Sequence, residues 1–410
     1  MTRSYTVDLL DENRLHRLSA AQWDELSRSA IDDNPFYARA YVLAGLDTID
    51  ADGDLRALAV YEQRNLVGLF PFRRKRWPFE QAMAAGNIYQ FSGQPLIHRD
   101  HGQAVVAAWL NAVREGKVPS RWTFRNVCLS SHFLHHCQRL GGSGTLDLIP
   151  CGSYARARLT RLHGDFKAHL RAAVSKSRVK DIERSIRRLR EIGTLSFERQ
   201  REPEVVAQRV EDFLAIEHSG WKGRAGTSFL ANRRHAEFAR QAFRREGAAC
   251  TFVDTLMLDG KPIAISINLQ TGDTVFTPKC AYDEAFRRFS PGLVLEYLVL
   301  EAFYDEDKCT EMDSATTVGN HVIQGLWNCE KPMAAMLIGP QGWQTRLLAL
   351  TRRVATTART SIKTSIGGPR VAGIRAVLRR WRAKSQHIHN SALLGGTSLV
   401  HAVELLAPAI

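Results

Sequence analysis

From Glu202 to Ser219 the chain reads EPEVVAQRVEDFLAIEHS, and Val206, Val210, Phe213 and Glu217 recur at helical spacing. The spacing predicts a helix whose apolar stripe ends on Glu217. A second helix is predicted over NRRHAEFARQAFRREG, with Asn232 as N-cap and Gly247 as its stop. The pattern then changes to three strand-like runs: CTFVDTLML, PIAISINLQ and TVFTPKCAY. Asp259-Gly260 joins the first two as a hairpin turn, and Thr271-Gly272-Asp273 joins the second pair. SPGLVLEYLVLEAFYDE predicts a helix with Ser290 as N-cap and Pro291 in its first turn. CTEMDS predicts a further short strand.

The N-terminal half repeats this order more loosely. LRALAVYEQRNLVGLFPFRRK reads as a hairpin, NIYQFSGQPLI as a loop or strand, GQAVVAAWLNAVREG as an amphipathic helix and RWTFRNVCL as a strand. Matching element order suggests a duplicated α+β unit, although sequence identity between the halves is negligible. The expected division is residues 1–160, residues 161–340 and a basic tail over 341–410, partly helical or disordered. One basic helix from about Phe166 to Glu191 connects the halves.

Composition narrows the class. A chain of 410 residues with 44% hydrophobic and 24% charged residues has the profile of a globular protein. Seven cysteines without a C-x-x-C pair fit reduced thiols better than a disulfide framework. The N-terminus has no apolar signal region, and PGLVLEYLVLEAF is too short to span a bilayer. A cytoplasmic location is expected; oligomeric state is unreadable. The net charge of +14 is concentrated: no acidic residue occurs from Gln341 to Asn390, where Arg and Lys recur. Such a stretch suits contact with a polyanion or a membrane surface.

Candidate chemistry lies in two places. EHSGWKGRAGTSF, Glu217 to Phe229, is an anion-friendly loop. RRFSPGLV is an anion-friendly helix start: Arg287 and Arg288 supply charge, and Gly292 permits close backbone approach to a phosphate. His132 and His136 in SSHFLHHCQRL are four residues apart, but no carboxylate lies near them in sequence, so a surface helix is expected and no metal site. Neither a G-x-x-x-x-G-K-[ST] loop nor a dinucleotide fingerprint is present.

These stretches, with NPFYARAYVLA, LVGLFPFRR, GNIYQFSGQPLI, SKSRVKDIERSIRRL, FLAIEHSGWKGRAGTSF and AYDEAFRRFSPGLVLEYLVLEAF, resemble the tandem GNAT-type acyltransferases called BioF2-like or CelD-like, relatives of the FemAB fold. The resemblance runs from about residue 20 to 340. It implies an α+β fold of two tandem GNAT-like domains with mixed, mostly antiparallel sheets flanked by helices. It also implies an acyl-CoA cradle at Phe289, Ser290, Gly292 and Leu293, with acetyl-CoA or another acyl-CoA as donor and no metal. The acceptor is then an amine or hydroxyl of a small molecule or glycan precursor.

The chemistry it implies is attack on a thioester, which needs a base because an amine is mostly protonated at neutral pH. Glu217 is the first candidate and His321 the alternative; Asp313 orients the acceptor, and Tyr282 protonates the leaving thiolate. Lys222 and Arg224 hold phosphates of CoA or an anionic acceptor, and Trp221 is a packing anchor or a substrate platform. The chain departs from the family where an acidic-x-Tyr-Lys element precedes a tryptophan. MDSATTVGNHVIQGLW keeps Asp313 and Trp327 but not Tyr-Lys. Two other readings stand beside this one: a FemAB-like transferase using aminoacyl-tRNA, and a non-catalytic binder of nucleic acid or a membrane surface.

Overall fold

A computed structural model of the chain describes residues 4–51, 53–76, 78–141, 144–244, 250–306, 309–316, 323 and 325–365. The chain divides by contacts into residues 1–345 and 346–410. The second unit is described only as far as residue 365, where it is helical.

In the larger unit the first half runs β1 (Tyr5–Leu10), α1 (Glu12–Arg17), α2 (Ala20–Arg28), α3 (Arg39–Asp47), β2 (Leu55–Glu62), β3 (Asn65–Lys75), β4 (Gln81–Ala84) and β5 (Leu96–Ile97). It continues with α4 (Gly102–Arg114), β6 (Trp122–Cys128), α5 (His132–Gly141) and the long β7 (Leu146–Thr160). Two helices follow, α6 (Phe166–Ala173) and α7 (Lys176–Arg190). The one connecting helix expected from sequence is therefore broken, because Ser175 is extended and its hydroxyl accepts from Arg178 N to start α7 anew.

The second half runs β8 (Leu195–Gln200), α8 (Pro203–Ser219), α9 (Trp221–Arg224), α10 (Arg233–Ala242), β9 (Cys250–Leu258), β10 (Lys261–Thr271), β11 (Thr274–Tyr282), α11 (Pro291–Asp305), β12 (Glu311–Asp313) and β13 (Cys329–Pro340). The expected Asp259-Gly260 turn forms with φ of 49° and 76°, the left-handed pair that matches strand twist. Asn232 caps α10 as expected, whereas Gly247 lies outside the described residues.

These strands form one thirteen-stranded mixed sheet in the order β1-β2-β3-β4-β6-β13-β7-β12-β11-β10-β9-β8, with β5 beside β3. The fold is α+β, with a mostly antiparallel sheet flanked by helices. Parallel contacts occur where β4 meets β6 and where β11 meets β12. β13 inserts between β6 and β7, and β7 also pairs with β12, so the ladder runs unbroken through both halves.

Side chains alternate across each strand, giving the second half two buried layers. Phe252, Leu256 and Ala264 pack with α11 on one face. Val253, Ile265 and Ile267 pack with Val206, Val210 and Phe213 of α8 on the other. This second layer also takes Phe36, Tyr41 and Tyr89 from the first half.

Arg161 holds the C-terminal end of α11. Its guanidinium donates to the carbonyls of Phe303, Tyr304 and Glu306 and lies over the Phe303 and Tyr304 rings. Positive charge there also complements the helix dipole. Arg161→Met is expected to lower stability by about 2 kcal/mol. A lower urea midpoint at unchanged m-value would show it, and an unchanged midpoint would remove this role.

Candidate active site

The site is built on β11. It pairs with β12 in parallel over only three residues, Thr274–Phe276 against Glu311–Asp313. Beyond Phe276 it continues to Tyr282 with no strand bonded on that side among the described residues. On its other side the register with β10 shifts between Ile267/Lys279 and Leu269/Phe276, so Thr277 and Pro278 together oppose Asn268. This bulge re-aims the backbone at the place where the neighbouring strand is lost. Thr277 is buried and its hydroxyl has no partner among the described residues.

β11 leads through the 3-10 turn Glu284–Phe289 into α11. Ser290 was expected to cap α11 with its side chain; instead it adopts φ 51°, ψ 51° and makes no side-chain cap. The first turn of α11 is thus left without that acceptor. A Cβ on Gly292 would lie 3.4 Å from Tyr282 Cδ1, so the Tyr282 ring flanks the helix start. Three arginines gather here. Arg287 and Arg288 are exposed, and the guanidinia of Arg188 on α7 and Arg288 lie 5.2 and 4.6 Å from the Phe289 ring centroid.

The loop from Glu217 is tied to this turn. Glu284 accepts from Trp221 N and from Arg224 Nη2, at 2.8 and 2.6 Å. Glu217, 5% exposed, accepts from Lys222 Nζ at 2.7 Å and from Phe229 N at 2.9 Å. Lys222 and Arg224 therefore each carry a carboxylate partner, and both Glu217 oxygens hold the loop closed. Trp221 is 58% exposed, so the packing-anchor expectation is corrected: its ring has no core to enter. The sharp bend needs Gly223, where a Cβ would fall 1.7 Å from the His218 carbonyl oxygen.

Asp313 stands at the end of β12, 2% exposed. Its Oδ1 accepts from Ala315 N and Arg156, and its Oδ2 from Lys331 at 3.2 Å. Lys331 also pairs with Glu311. The structure thus brings Glu217, Trp221, Lys222 and Arg224 to the turn bearing Arg287, Arg288 and Phe289. It sets Asp313 instead among cations from β7 and β13. His321 lies outside the described residues.

Three groups escaped the sequence reading. Lys279 lies on the open stretch of β11, its ammonium nitrogen 4.5 Å from the Tyr89 ring centroid and 4.6 Å from that of Phe229. Burial lowers its pKa to about 8, with Lys222 pushing the same way and Glu217 opposing. Tyr89 is bonded to His235 Nδ1 at 2.8 Å. Glu296, on α11, is wholly buried, and burial together with Asp254 raises its pKa to about 8. A lone lysine in TVFTPKCAY and a glutamate in the apolar GLVLEYLVL were the available signals.

Among the described residues no group of three or more His, Cys, Asp or Glu is placed to hold a metal ion. No described helix is long and apolar enough to cross a membrane, and no disulfide joins the described cysteines.

Residues 176–320, about a third of the chain, match the family model described as an acetyltransferase (GNAT) domain. The second half is an acyltransferase domain of the GNAT type. Its match begins at α7 and includes the loop, β11 and the start of α11. FemX is similar in structure at 11% identity and TM-score 0.53, over 82% of this chain and 98% of that one. A conserved protein of unknown function from Bacteroides thetaiotaomicron is similar at 12% identity and TM-score 0.51, over 81% and 100%. At such identities the likeness concerns the fold. No curated protein matches the sequence.

Two variants probe this candidate site. Gly223→Ala should cost about 1–3 kcal/mol and expose the bonds after Lys222 and Arg224 to trypsin; unchanged stability and cleavage would contradict the tight bend. Glu296 keeps its proton in the folded state up to about pH 8, while the unfolded chain loses it near 4.5. Stability contributed by this group therefore falls as pH rises between those values. Relative to wild type, Glu296→Gln should gain on the order of 4 kcal/mol from pH 4.5 to 8 in urea titrations. A constant difference across that range would remove the buried acid.

Proposed function

We propose that the protein transfers an acyl group, acetyl first, from acyl-CoA to an amine or hydroxyl of a small-molecule or glycan-precursor acceptor. The observation that carries this is the continuity of the open, bulged edge of β11 with an uncapped helix start beside Arg188, Arg287 and Arg288. The thioester would lie along the open edge, and the CoA phosphates would meet the first turn of α11 and its arginines. A backbone N–H of the bulge would receive the oxyanion, and Tyr282, flanking Gly292, would stand near the leaving thiolate.

The first half offers a contrast. Its corresponding helix start, Gly102 of α4, is covered by the His136 ring, since a Cβ there would lie 2.5 Å from Nε2. The donor site is therefore assigned to the second half, within the narrower CelD-like reading. The basic stretch from Gln341 to Asn390 is proposed to contact a polyanion or a membrane surface.

Acetyl-CoA at a hundredfold its dissociation constant should stabilise the protein by about 2.7 kcal/mol. Gly292→Glu places a carboxylate where the phosphates would sit and should abolish the shift while leaving the unliganded melting temperature within a few degrees. Absence of any shift with acetyl-CoA or longer acyl-CoAs would overturn the donor assignment in favour of aminoacyl-tRNA.

A further inference from the structure

Lys279 is unusual as an ion. It is part-buried, and no described carboxylate, carbonyl or hydroxyl accepts a hydrogen bond from its nitrogen; its near neighbours are two ring faces. Withdrawing an ammonium in part from water without giving it a protein acceptor disfavours the charged form, and such a lysine keeps the option of being neutral. The surrounding groups come from every element packed on that side. Glu217 on α8 faces Lys279 but is held by Lys222 on α9 and by Phe229 N. His235 on α10 is held by Tyr89, and its own pKa is lowered by burial and by Lys279. No carboxylate is therefore left over for Lys279.

Its position is as telling as its surroundings. The backbone of Lys279 closes the Thr277–Pro278 bulge, and its side chain points to the β11 face covered by Phe229 and Tyr89. That face carries the Glu217–Phe229 loop, away from α11. A group there stands between the segment that would bind the oxyanion and the loop beside which an acceptor would enter.

We propose that Lys279 is the base of the acyl transfer, taking the proton from the acceptor, and that Tyr89 of the first half completes its aromatic cage. This rests on the acyl-CoA reading of the site. In the step, the neutral Lys279 amine takes one proton from the acceptor ammonium, R–NH3+, and becomes the ammonium. The freed R–NH2 attacks the thioester carbonyl, forming the C–N bond; the C–S bond then breaks, and the remaining extra proton leaves with the thiol. Amide, CoA thiol and protonated Lys279 are the products, so protons and charge balance. With water as acceptor, Lys279 takes a proton from the attacking water and returns it to the leaving thiolate, so the products are the carboxylic acid and the thiol with Lys279 neutral again. Cation–π contact favours the charged form and burial the neutral one, which poises the amine between them.

The test uses the full chain and acetyl-CoA, with water as the surrogate acceptor. Three quantities are read from pH 6 to 10: thiol release, the thermal shift with acetyl-CoA, and the NMR titration of lysine Cε signals, with Lys279 assigned by its loss in Lys279→Arg. The expected result is thiol release that rises with a midpoint near 8, matching the titration of Lys279. Lys279→Met and Lys279→Arg should both lower thiol release at least a hundredfold while keeping the acetyl-CoA shift. Arginine keeps the charge but cannot give up its proton, so its failure to rescue separates a base from a fixed cation. Retained thiol release in either variant overturns the proposal, as does a Lys279 midpoint above 10 or a wild type that binds acetyl-CoA without releasing thiol. Loss of the acetyl-CoA shift in wild type overturns the donor assignment instead, and the Lys279 titration then still reports on the amine.

Discussion

The whole site depends on β11 losing its neighbour after three residues. A continuous β11–β12 ladder would satisfy the backbone of Thr277 to Tyr282 and leave no open edge there. The ladder stops because the chain turns out of the sheet after Asp313, with Ala315 at φ 49°. That turn is fixed by the Asp313 carboxylate, which accepts from Ala315 N and is neutralised by Arg156 and Lys331. Burying these charges contributes little net stability but breaking the set would be costly, which makes it a device for specifying one geometry. Asp313 thus serves the open edge at a distance, by holding the strand that leaves.

Two more polar knots frame the same strand. On the α11 face Arg199 pairs with Asp254, which also accepts from Asn268, leaving Glu296 buried beside a carboxylate. Glu296 responds by keeping its proton, because an ionised carboxylate there would face both desolvation and a like charge. On the opposite face Glu217 is saturated by Lys222 and Phe229 N, and Lys279 is left over. The two faces therefore hold one acid that stays protonated and one amine whose pKa is lowered to about 8, each through loss of contact with water. Only the amine borders the Glu217–Phe229 loop.

Much of the second half was legible because its signals are local. The α8 stripe, the Asp-Gly turn and the Pro291 start each follow from a few adjacent residues. Ser290 misled because its identity suits a cap while the turn before it demands a left-handed residue. The loop was rightly singled out as unusual, but spacing could not show that its cations are matched one for one by Glu217 and Glu284. Lys279, Tyr89 and His235 were invisible for a different reason. They are brought together from distant parts of the sequence, Tyr89 and His235 alone being 146 residues apart, through the shared layer of Phe36, Tyr41 and Phe238. Likewise nothing local announced that β13 would pair with β6 and β7.

The two halves differ in how each fills the space beside its parallel strand pair. In the first half β4 and β6 touch in parallel over two residues, and Phe70, Phe72, Trp109, Trp122, Phe124 and Phe133 pack into one aromatic cluster around them. Stacked and edge-on rings at centroid separations of 4.7–6.4 Å leave that region closed, and His136 covers the helix start. The second half keeps the divergence but not the filling: beyond its bulge stand a threonine, a proline and a lysine. The first half instead lends Tyr89 across the shared layer, where its ring lies beside Phe229 and Phe238 and under Lys279. The first half thereby supplies part of the wall around Lys279, and buried aromatic rings from both halves surround that amine.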